Sequence, residues 1–189
     1  MNKIYTGIGS RVVPDIIIKR MLRFGQLAAR LGWTLRSGAA TGSDEAFEMG
    51  CDSMSGSKEI FLPYKGFNHH QSNLYPPPRE AYVLASTIHL GYNKIKNNTR
   101  GKIIKALLAR NMLQVLGEDL DTPSEFVICW TPDGCERHEN YCVGVTGGTG
   151  TAIALASKHN IPVFNIGSDE RYQEAILYML TITGEIDGC

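Results

Sequence analysis

The chain has 189 residues, of which 43% are hydrophobic and 20% are charged, and this is the composition of an ordinary globular protein. Nineteen basic residues balance nineteen acidic ones. The formal net charge of zero argues weakly against a protein whose main work is to hold nucleic acid by its phosphates, although it leaves room for a local basic patch. The length favours one domain over residues 1–189.

Two further features bear on the compartment. The apolar runs are too short to span a bilayer, and the N-terminus enters directly into a strand pattern instead of a signal sequence. The cysteines are odd in number and scattered, which suits a reducing environment better than a disulfide framework. We therefore expect a cytoplasmic protein. The cysteines are Cys51, Cys129, Cys135, Cys142 and Cys189.

The first unit is a short buried strand from Lys3 that breaks into a glycine loop and is followed by an apolar-periodic helix over Ile16–Leu31. Strand, glycine loop and helix are the opening of a nucleotide-binding unit. The dinucleotide fingerprint is incomplete, because Val12 stands where its third glycine would be. Arg11 would either reach a phosphate or be solvated. The candidate ligand-binding residues of this loop are Gly7, Gly9, Ser10 and Arg11.

A second strand, Trp33–Gly38, leads into another turn rich in glycine and hydroxyl groups and then into a helix that ends near Gly50. Ser43 and Asp44 would either cap this helix or meet a ligand, with the carboxylate accepting from a ribose hydroxyl. The candidate ligand-binding residues here are Ser37, Gly38, Gly42, Ser43 and Asp44.

The next segments are a strand over Lys58–Pro63, an ordered loop over Tyr64–Pro78, and two helices, Arg79–Leu90 and Thr99–Leu116. The paired histidines of the loop, His69 and His70, favour a surface role over metal binding. Arg110 and Asn111 interrupt the apolar pattern of the second helix. They are either a surface pair or a pair directed into a binding site.

Ser124–Trp130 is continuously apolar, which predicts a strand in the interior of a parallel sheet. A polar segment, Thr131–Val145, follows, and Cys135, His138 and Cys142 lie in it. With Cys129 these residues raise the possibility of a zinc site, but the close cysteine pair typical of zinc sites is missing. We therefore predict no metal, and no cofactor.

The stretch Thr146–Thr151 comes directly before a helix pattern over Ala152–Lys158. Glycines allow a ligand to approach the backbone, and the free amides and dipole of a helix N-terminus attract an anion. This stretch therefore predicts a phosphate-binding loop. A last strand, Ile161–Ile166, and a closing helix, Asp169–Leu180, complete the chain. The candidate ligand-binding residues are Gly147, Gly148, Thr149, Gly150 and Thr151.

The alternation of strands and helices predicts a Rossmann-like α/β fold, a doubly wound and mostly parallel sheet flanked by helices. In such folds ligands bind at the carboxyl ends of the strands, near the point where the strand order reverses. We expect the glycine loops to face one cleft there.

Together the motifs at residues 6–11, 37–44, 109–111 and 147–151 resemble the SLOG superfamily of Rossmann-like domains. Within it they are closest to the YspA-like and the SMF/DprA-like branches, which include stand-alone copies common in phages. The resemblance covers nearly the whole chain. It implies a cleft for a ligand related to NAD, ADP-ribose or a nucleoside monophosphate, and it makes a homodimer or a higher homo-oligomer an expectation.

The resemblance does not fix an activity, because the superfamily includes phosphoribohydrolases, nucleotide sensors and DNA-binding recombination mediators. In the hydrolase branch a catalytic glutamate lies three residues beyond the last threonine of the motif, and this chain has Ala154 there. A methyl group is neither acid nor base, so Asp44 or Glu45 would have to substitute. We therefore expect a nucleotide-binding sensor or sequestering module. The alternatives are a nucleoside 5′-monophosphate N-glycosidase and a DprA-like binder of single-stranded DNA.

Overall fold

A computed structural model describes residues 3–185 of the chain. The five strands are β1 (Ile4–Gly9), β2 (Thr34–Ser37), β3 (Lys58–Ile60), β4 (Phe126–Trp130) and β5 (Val163–Asn165). The six α-helices are α1 (Asp15–Arg30), α2 (Ser43–Asp52), α3 (Arg79–Ile88), α4 (Thr99–Leu116), α5 (Thr149–Lys158) and α6 (Asp169–Thr183). Cys189, the last of the five cysteines, lies outside the described residues.

All the strands pair in parallel in the order β3-β2-β1-β4-β5. The chain winds outward from β1 to β3, crosses back, and then continues through β4 to β5. This reversal places β1 between β2 and β4 and makes the β1/β4 boundary the topological switch point of the sheet. The predicted doubly wound Rossmann-like fold is therefore confirmed, with a sheet that is wholly parallel.

Helices cover both faces of the sheet. On one face the core is formed by residues of α1, α2 and α6 with an aromatic cluster around Phe126, a side chain on β4 that solvent does not reach. On the other face it is formed by residues of α3, α4 and α5. Because both faces of the sheet are buried, β4 is a continuous apolar run and not an alternating one.

Local signals set the helix boundaries. The side chains of Asn98 and Ser168 accept hydrogen bonds from the amides of Gly101 and Arg171, at 2.9 and 3.1 Å, and cap α4 and α6. Helix α6 ends at Gly184, which has a φ of 76° that glycine adopts without strain. The helix therefore runs three residues further than the apolar pattern predicted.

One boundary differs from its prediction in a way that affects the site. Helix α5 begins at Thr149 and not at Ala152, because Gly148 already has helical angles (φ −65°, ψ −28°). The amides of Gly150 and Thr151 donate to the carbonyls of Gly147 and Gly148, at 3.3 and 3.2 Å. The second half of the predicted phosphate loop is therefore the first turn of a helix.

Candidate functional site

A cleft of about 500 Å³ lies at the carboxyl ends of β1 and β4, at the switch point of the sheet. Its walls come from the β1–α1 loop, the start of α2, the inward face of α4, and both ends of the segment that joins β4 to α5. The lining residues are Ile8, Gly9, Ser10, Arg11, Val12, Ala40, Asp44, Ile104, Leu107, Leu108, Arg110, Asn111, Gln114, Pro132, Val145, Thr146, Gly147, Gly148 and Thr149.

The structure brings nine of the sixteen predicted ligand-binding residues to this cleft. They come from all four motifs, which are far apart in the chain, so the first glycine loop and the loop before α5 do share one crevice. The nine are Gly9, Ser10, Arg11, Asp44, Arg110, Asn111, Gly147, Gly148 and Thr149.

The other predicted residues lie behind the cleft wall, where several support it. Ser37 donates from its hydroxyl to the carbonyl of Gly7 at 2.7 Å, and Ser43 donates to the carbonyl of Ser10 at 2.9 Å. A side chain at Gly38 would collide with the guanidinium of Arg110. The seven that do not line the cleft are Gly7, Ser37, Gly38, Gly42, Ser43, Gly150 and Thr151.

The start of α5 offers backbone donors to the cleft. Within residues 3–185, no protein acceptor takes a hydrogen bond from the amides of Gly147, Gly148 or Thr149. Gly147 has a φ of 73°, and a side chain added at Gly148 would meet open space. Asn111 on α4 donates to the carbonyl of Gly148 at 2.9 Å and thereby holds this turn in place. Three free amides at a helix N-terminus form an anion-binding arrangement.

The floor of the cleft contains a buried ion pair. Nη1 of Arg110 lies 3.1 Å from Oδ2 of Asp44, and both side chains are at least nine-tenths buried. The amide of Ala40 also approaches Oδ2, at 3.4 Å. Burial raises the pKa of the Asp44 carboxyl, although the adjacent guanidinium and the Ala40 amide act in the opposite direction. Ser43 and Asp44 do not cap α2, since Gly42 occupies the cap position and no side chain bonds to the helix amides there.

Two more donors on the floor have no partner. Nε of Arg110 and Nε2 of Gln114 are buried and, among the described residues, meet no acceptor. The nitrogens belong to residues one turn apart on α4, and both side chains line the cleft. Buried donors without acceptors are costly, so this floor is suited to an anion or to another acceptor-rich group.

Aliphatic side chains also line the cleft. Val12 and Val145 are 86% and 54% exposed, and Ile104, Leu107 and Leu108 of α4 add further apolar lining. A cleft that combines free donors with aliphatic side chains fits a ligand that has an anionic part and an apolar part.

Of the two candidate catalytic carboxylates, only Asp44 lines the cleft. Glu45 is exposed on the far side of α2, in a separate shallow pocket with Glu48 and His70. Ala154, at the position of the family glutamate, is completely buried in the core.

The segment between β4 and α5 is tied down over much of its length. Thr146 donates from its hydroxyl to Asp133 at 2.6 Å, and the hydroxyl of Tyr141 lies 2.7 Å from Nδ1 of His89, the residue that follows α3. This segment therefore contributes its ends, Pro132 and residues 145–149, to the cleft, while its middle packs on the helix layer. In the part of the chain that the structure describes, no three His, Cys, Asp or Glu side chains come close enough to hold a metal ion.

Sequence reasoning missed several lining residues. Gln114 belongs to no motif, and Thr146 begins the predicted phosphate-binding loop but was not among its candidate ligand residues. The aliphatic residues of the cleft look like ordinary core positions in the sequence. The apolar run of α4 includes Ile103, which is exposed, and Ile104, which lines the cleft. The sequence does not distinguish these two positions from buried apolar positions on the same helix.

Comparisons with protein-family models, with curated proteins and with solved structures gave no significant match for this chain. Within residues 3–185, moreover, no helix has the length and apolar character needed to cross a membrane.

Proposed function

We propose that the protein binds a phosphorylated nucleotide or a ligand of the NAD and ADP-ribose type in the switch-point cleft, as a sensor or sequestering module. The observation that carries this proposal is the set of unpartnered donors around one cavity: three backbone amides at the start of α5 and the buried nitrogens of Arg110 and Gln114. An anionic ester satisfies such donors, and the apolar wall at Val12 and Val145 suits a nucleobase.

The resemblance of the motifs to SLOG domains supports the same ligand class, and nine of the sixteen candidate residues in those motifs line this cavity. The buried pair of Asp44 and Arg110 is consistent with a binding role as well, because Oδ2 of Asp44 holds the guanidinium in one orientation in the same cleft as the free amides. Binding of this kind needs no catalytic group.

The proposal is tested by thermal unfolding of the full chain with AMP, ADP, ADP-ribose and NAD. A ligand that binds only the folded state stabilises it and so raises the melting temperature. At a ligand concentration one hundred times the dissociation constant, the free energy of unfolding increases by about 2.7 kcal/mol. We expect stabilisation by at least one of the four. The variant Gly148→Leu should abolish it, because the new side chain points into open cleft space at a position with ordinary helical angles.

The matched control is Gly144→Leu, in the same segment but outside the cleft, where a side chain also meets open space. Its response to nucleotides should equal that of the wild type. If no nucleotide stabilises the wild type, or if both variants lose the response equally, the proposal is wrong.

A second candidate is a nucleoside 5′-monophosphate N-glycosidase, and the position of Asp44 in the cleft favours it. The carboxylate would stabilise the positive charge that develops on the sugar as water attacks C1′ and the base leaves with a proton. Released base in the same incubations, lost in Asp44→Asn while nucleotide stabilisation remains, is the result that this candidate requires.

Single-stranded DNA binding also keeps one supporting observation. Residues 81–117 contain no acidic residue, and the exposed positions there include Lys94, Lys96, Arg100 and Lys102. Retention of an oligonucleotide that falls steeply with salt, together with no response to nucleotides, would favour this third alternative over the other two.

A further inference from the structure

A second cavity, of about 440 Å³, opens beside the switch-point cleft at the carboxyl ends of β4 and β5. Pro132, which follows β4 closely in the chain, lines both cavities. The lining residues are Trp130, Thr131, Pro132, Gly134, Glu136, Asn165, Gly167, Ser168 and Arg171.

Asn165 leaves an acceptor without a partner in this cavity. Its side chain is 4% exposed, and Nδ2 donates to the hydroxyl of Thr131 at 2.8 Å and to the carbonyl of Cys135 at 3.2 Å. The carbonyl of Cys135 can only accept a hydrogen bond, so the atom of the Asn165 side chain that faces it must be the donor Nδ2. The other atom of the side-chain amide, the acceptor Oδ1, is the one without a hydrogen-bond partner within the described residues. A buried acceptor in this state fits a ligand that brings an O–H or N–H donor.

The neighbouring groups narrow the ligand class. Oε1 of Glu136 accepts hydrogen bonds from the backbone amide of Asn165, at 2.7 Å, and from the side chain of Arg171. The other carboxylate oxygen of Glu136 can therefore accept a hydrogen bond from a ligand. Trp130 and Pro132 add an indole and a pyrrolidine ring to the walls. An aromatic wall with carboxylate and amide acceptors is suited to a sugar ring with adjacent hydroxyl groups.

A phosphate is a poor occupant of this second cavity. Helix α6 begins at its edge, but Asp169 and Glu170 occupy the first turn of that helix and offset the positive end of its dipole. Arg171 is already paired with Glu136 and Glu174. The charges here therefore favour a neutral, hydroxyl-bearing group, in contrast to the free donors of the switch-point cleft.

We infer that the second cavity binds the distal ribose of an ADP-ribose-type ligand whose phosphates lie in the switch-point cleft. This rests on the proposed function and narrows its substrate class from nucleotides in general to those that carry a second sugar on the diphosphate. The distal hydroxyls donate to Oδ1 of Asn165 and to the carboxylate of Glu136.

The experiment compares the affinities of ADP and ADP-ribose by calorimetric titration, because ADP-ribose is ADP with the distal ribose esterified to its terminal phosphate. The ester carries less negative charge than ADP, so the phosphate site alone would favour ADP. We expect ADP-ribose to bind wild-type protein about tenfold more tightly, as one or two added hydrogen bonds would give. Gly167→Leu should remove this difference and leave ADP binding intact. A side chain at Gly167 meets its nearest atoms, on Trp130 and Asn165, only at 3.7–3.8 Å, so it fills the cavity without a clash at its base.

Gly167→Ala, which adds a single methyl group, provides a second variant with minimal effect on folding, and we expect it to reduce the preference for ADP-ribose in part. Gly148→Leu should lose both ligands. Equal affinities of the wild type for ADP and ADP-ribose, or a preference that survives in Gly167→Leu, would overturn the inference while leaving the proposed function standing. If neither ligand binds the wild type, the proposed function fails and the inference falls with it.

Discussion

The buried pair of Arg110 and Asp44 is the most consequential interaction between single residues in the cleft. Removing two charges from water is expensive, and the energy is recovered only while both partners are present. Helix α4 places the guanidinium against the backbone of Gly38, where any larger residue would block it. The sequence analysis placed Gly38 among the ligand-binding residues. In the structure, glycine is needed at this position because the side chain of Arg110 passes against its backbone.

Arg110→Met should destabilise the protein by about 3–5 kcal/mol at pH 7, because it leaves the Asp44 carboxylate buried without a counter-ion. The measurement is urea-induced unfolding followed by circular dichroism. In this variant the pKa of Asp44 rises further above its unfolded value, so the folded state binds more protons than the unfolded one. The difference in the free energy of unfolding between the wild type and Arg110→Met should therefore become smaller as the pH is lowered from 7 to 5.

The control is Arg110→Met combined with Asp44→Asn, in which no carboxylate remains to be protonated. This double variant should recover part of the lost stability at pH 7 and show little change in its deficit with pH. Identical deficits for Arg110→Met at pH 7 and pH 5 would contradict the explanation by an unpaired charge.

At the scale of elements, a hydrogen-bonded group joins three segments next to the cleft. Nδ1 of His89, at the end of α3, lies 2.7 Å from the hydroxyl of Tyr141 and 2.9 Å from that of Thr151 in the first turn of α5. The ring of Tyr141 also packs against Gly150. These contacts fix the start of α5, and thus the free amides of the cleft, relative to the β4–α5 segment.

Acid should weaken this junction. Burial lowers the pKa of His89, so the neutral ring is favoured in the folded state and the unfolded state binds more protons. The stabilisation is present above the unfolded pKa, near 6.5, and is lost as the pH falls below it. We expect the melting temperature of the wild type to fall more between pH 7 and pH 5 than that of His89→Asn, whose amide does not titrate. Parallel curves for the two proteins would exclude His89 as the cause.

The order of elements was readable from the sequence, because glycine turns and apolar periods report local conformation directly. The position of α5 was not, since the helix starts inside a glycine stretch only when Gly148 adopts helical angles, and tertiary contacts such as that from Asn111 fix those angles. The sequence also could not show that Gln114 lines the cleft. That position depends on how α4 packs against β1 and β4, which is a tertiary contact.

At the scale of the whole molecule, the aromatic cluster around Phe126 and the cleft lie toward opposite ends of β1 and β4. Tyr5 and Phe126 pair in register near the start of β1 and β4, whereas Gly9 and Trp130 pair at their carboxyl ends. The Phe126 ring contacts five other aromatic rings, at centroid distances of 5.3–6.1 Å. The strand order that unites the motifs was not readable from the sequence, because it depends on which way the chain crosses after β3.

This separation predicts that stability can be lowered without loss of binding. Phe126→Ala removes the centre of the aromatic cluster and should cost about 3–5 kcal/mol, a large part of the 5–15 kcal/mol typical of a folded domain. The dissociation constant for whichever nucleotide binds the wild type should change less than about threefold in the folded fraction, since the cavity lies four residues further along each strand. Unfolding by urea and calorimetric titration at 10 °C measure the two quantities separately.

The control is Val83→Ala, on the exposed side of α3, where the side chain is 57% exposed. This variant should leave the free energies of unfolding and of nucleotide binding within about 0.5 kcal/mol of the wild-type values. A loss of affinity that grows in proportion to the loss of stability would instead mean that the cleft depends on the aromatic cluster and that the two ends of the sheet are coupled.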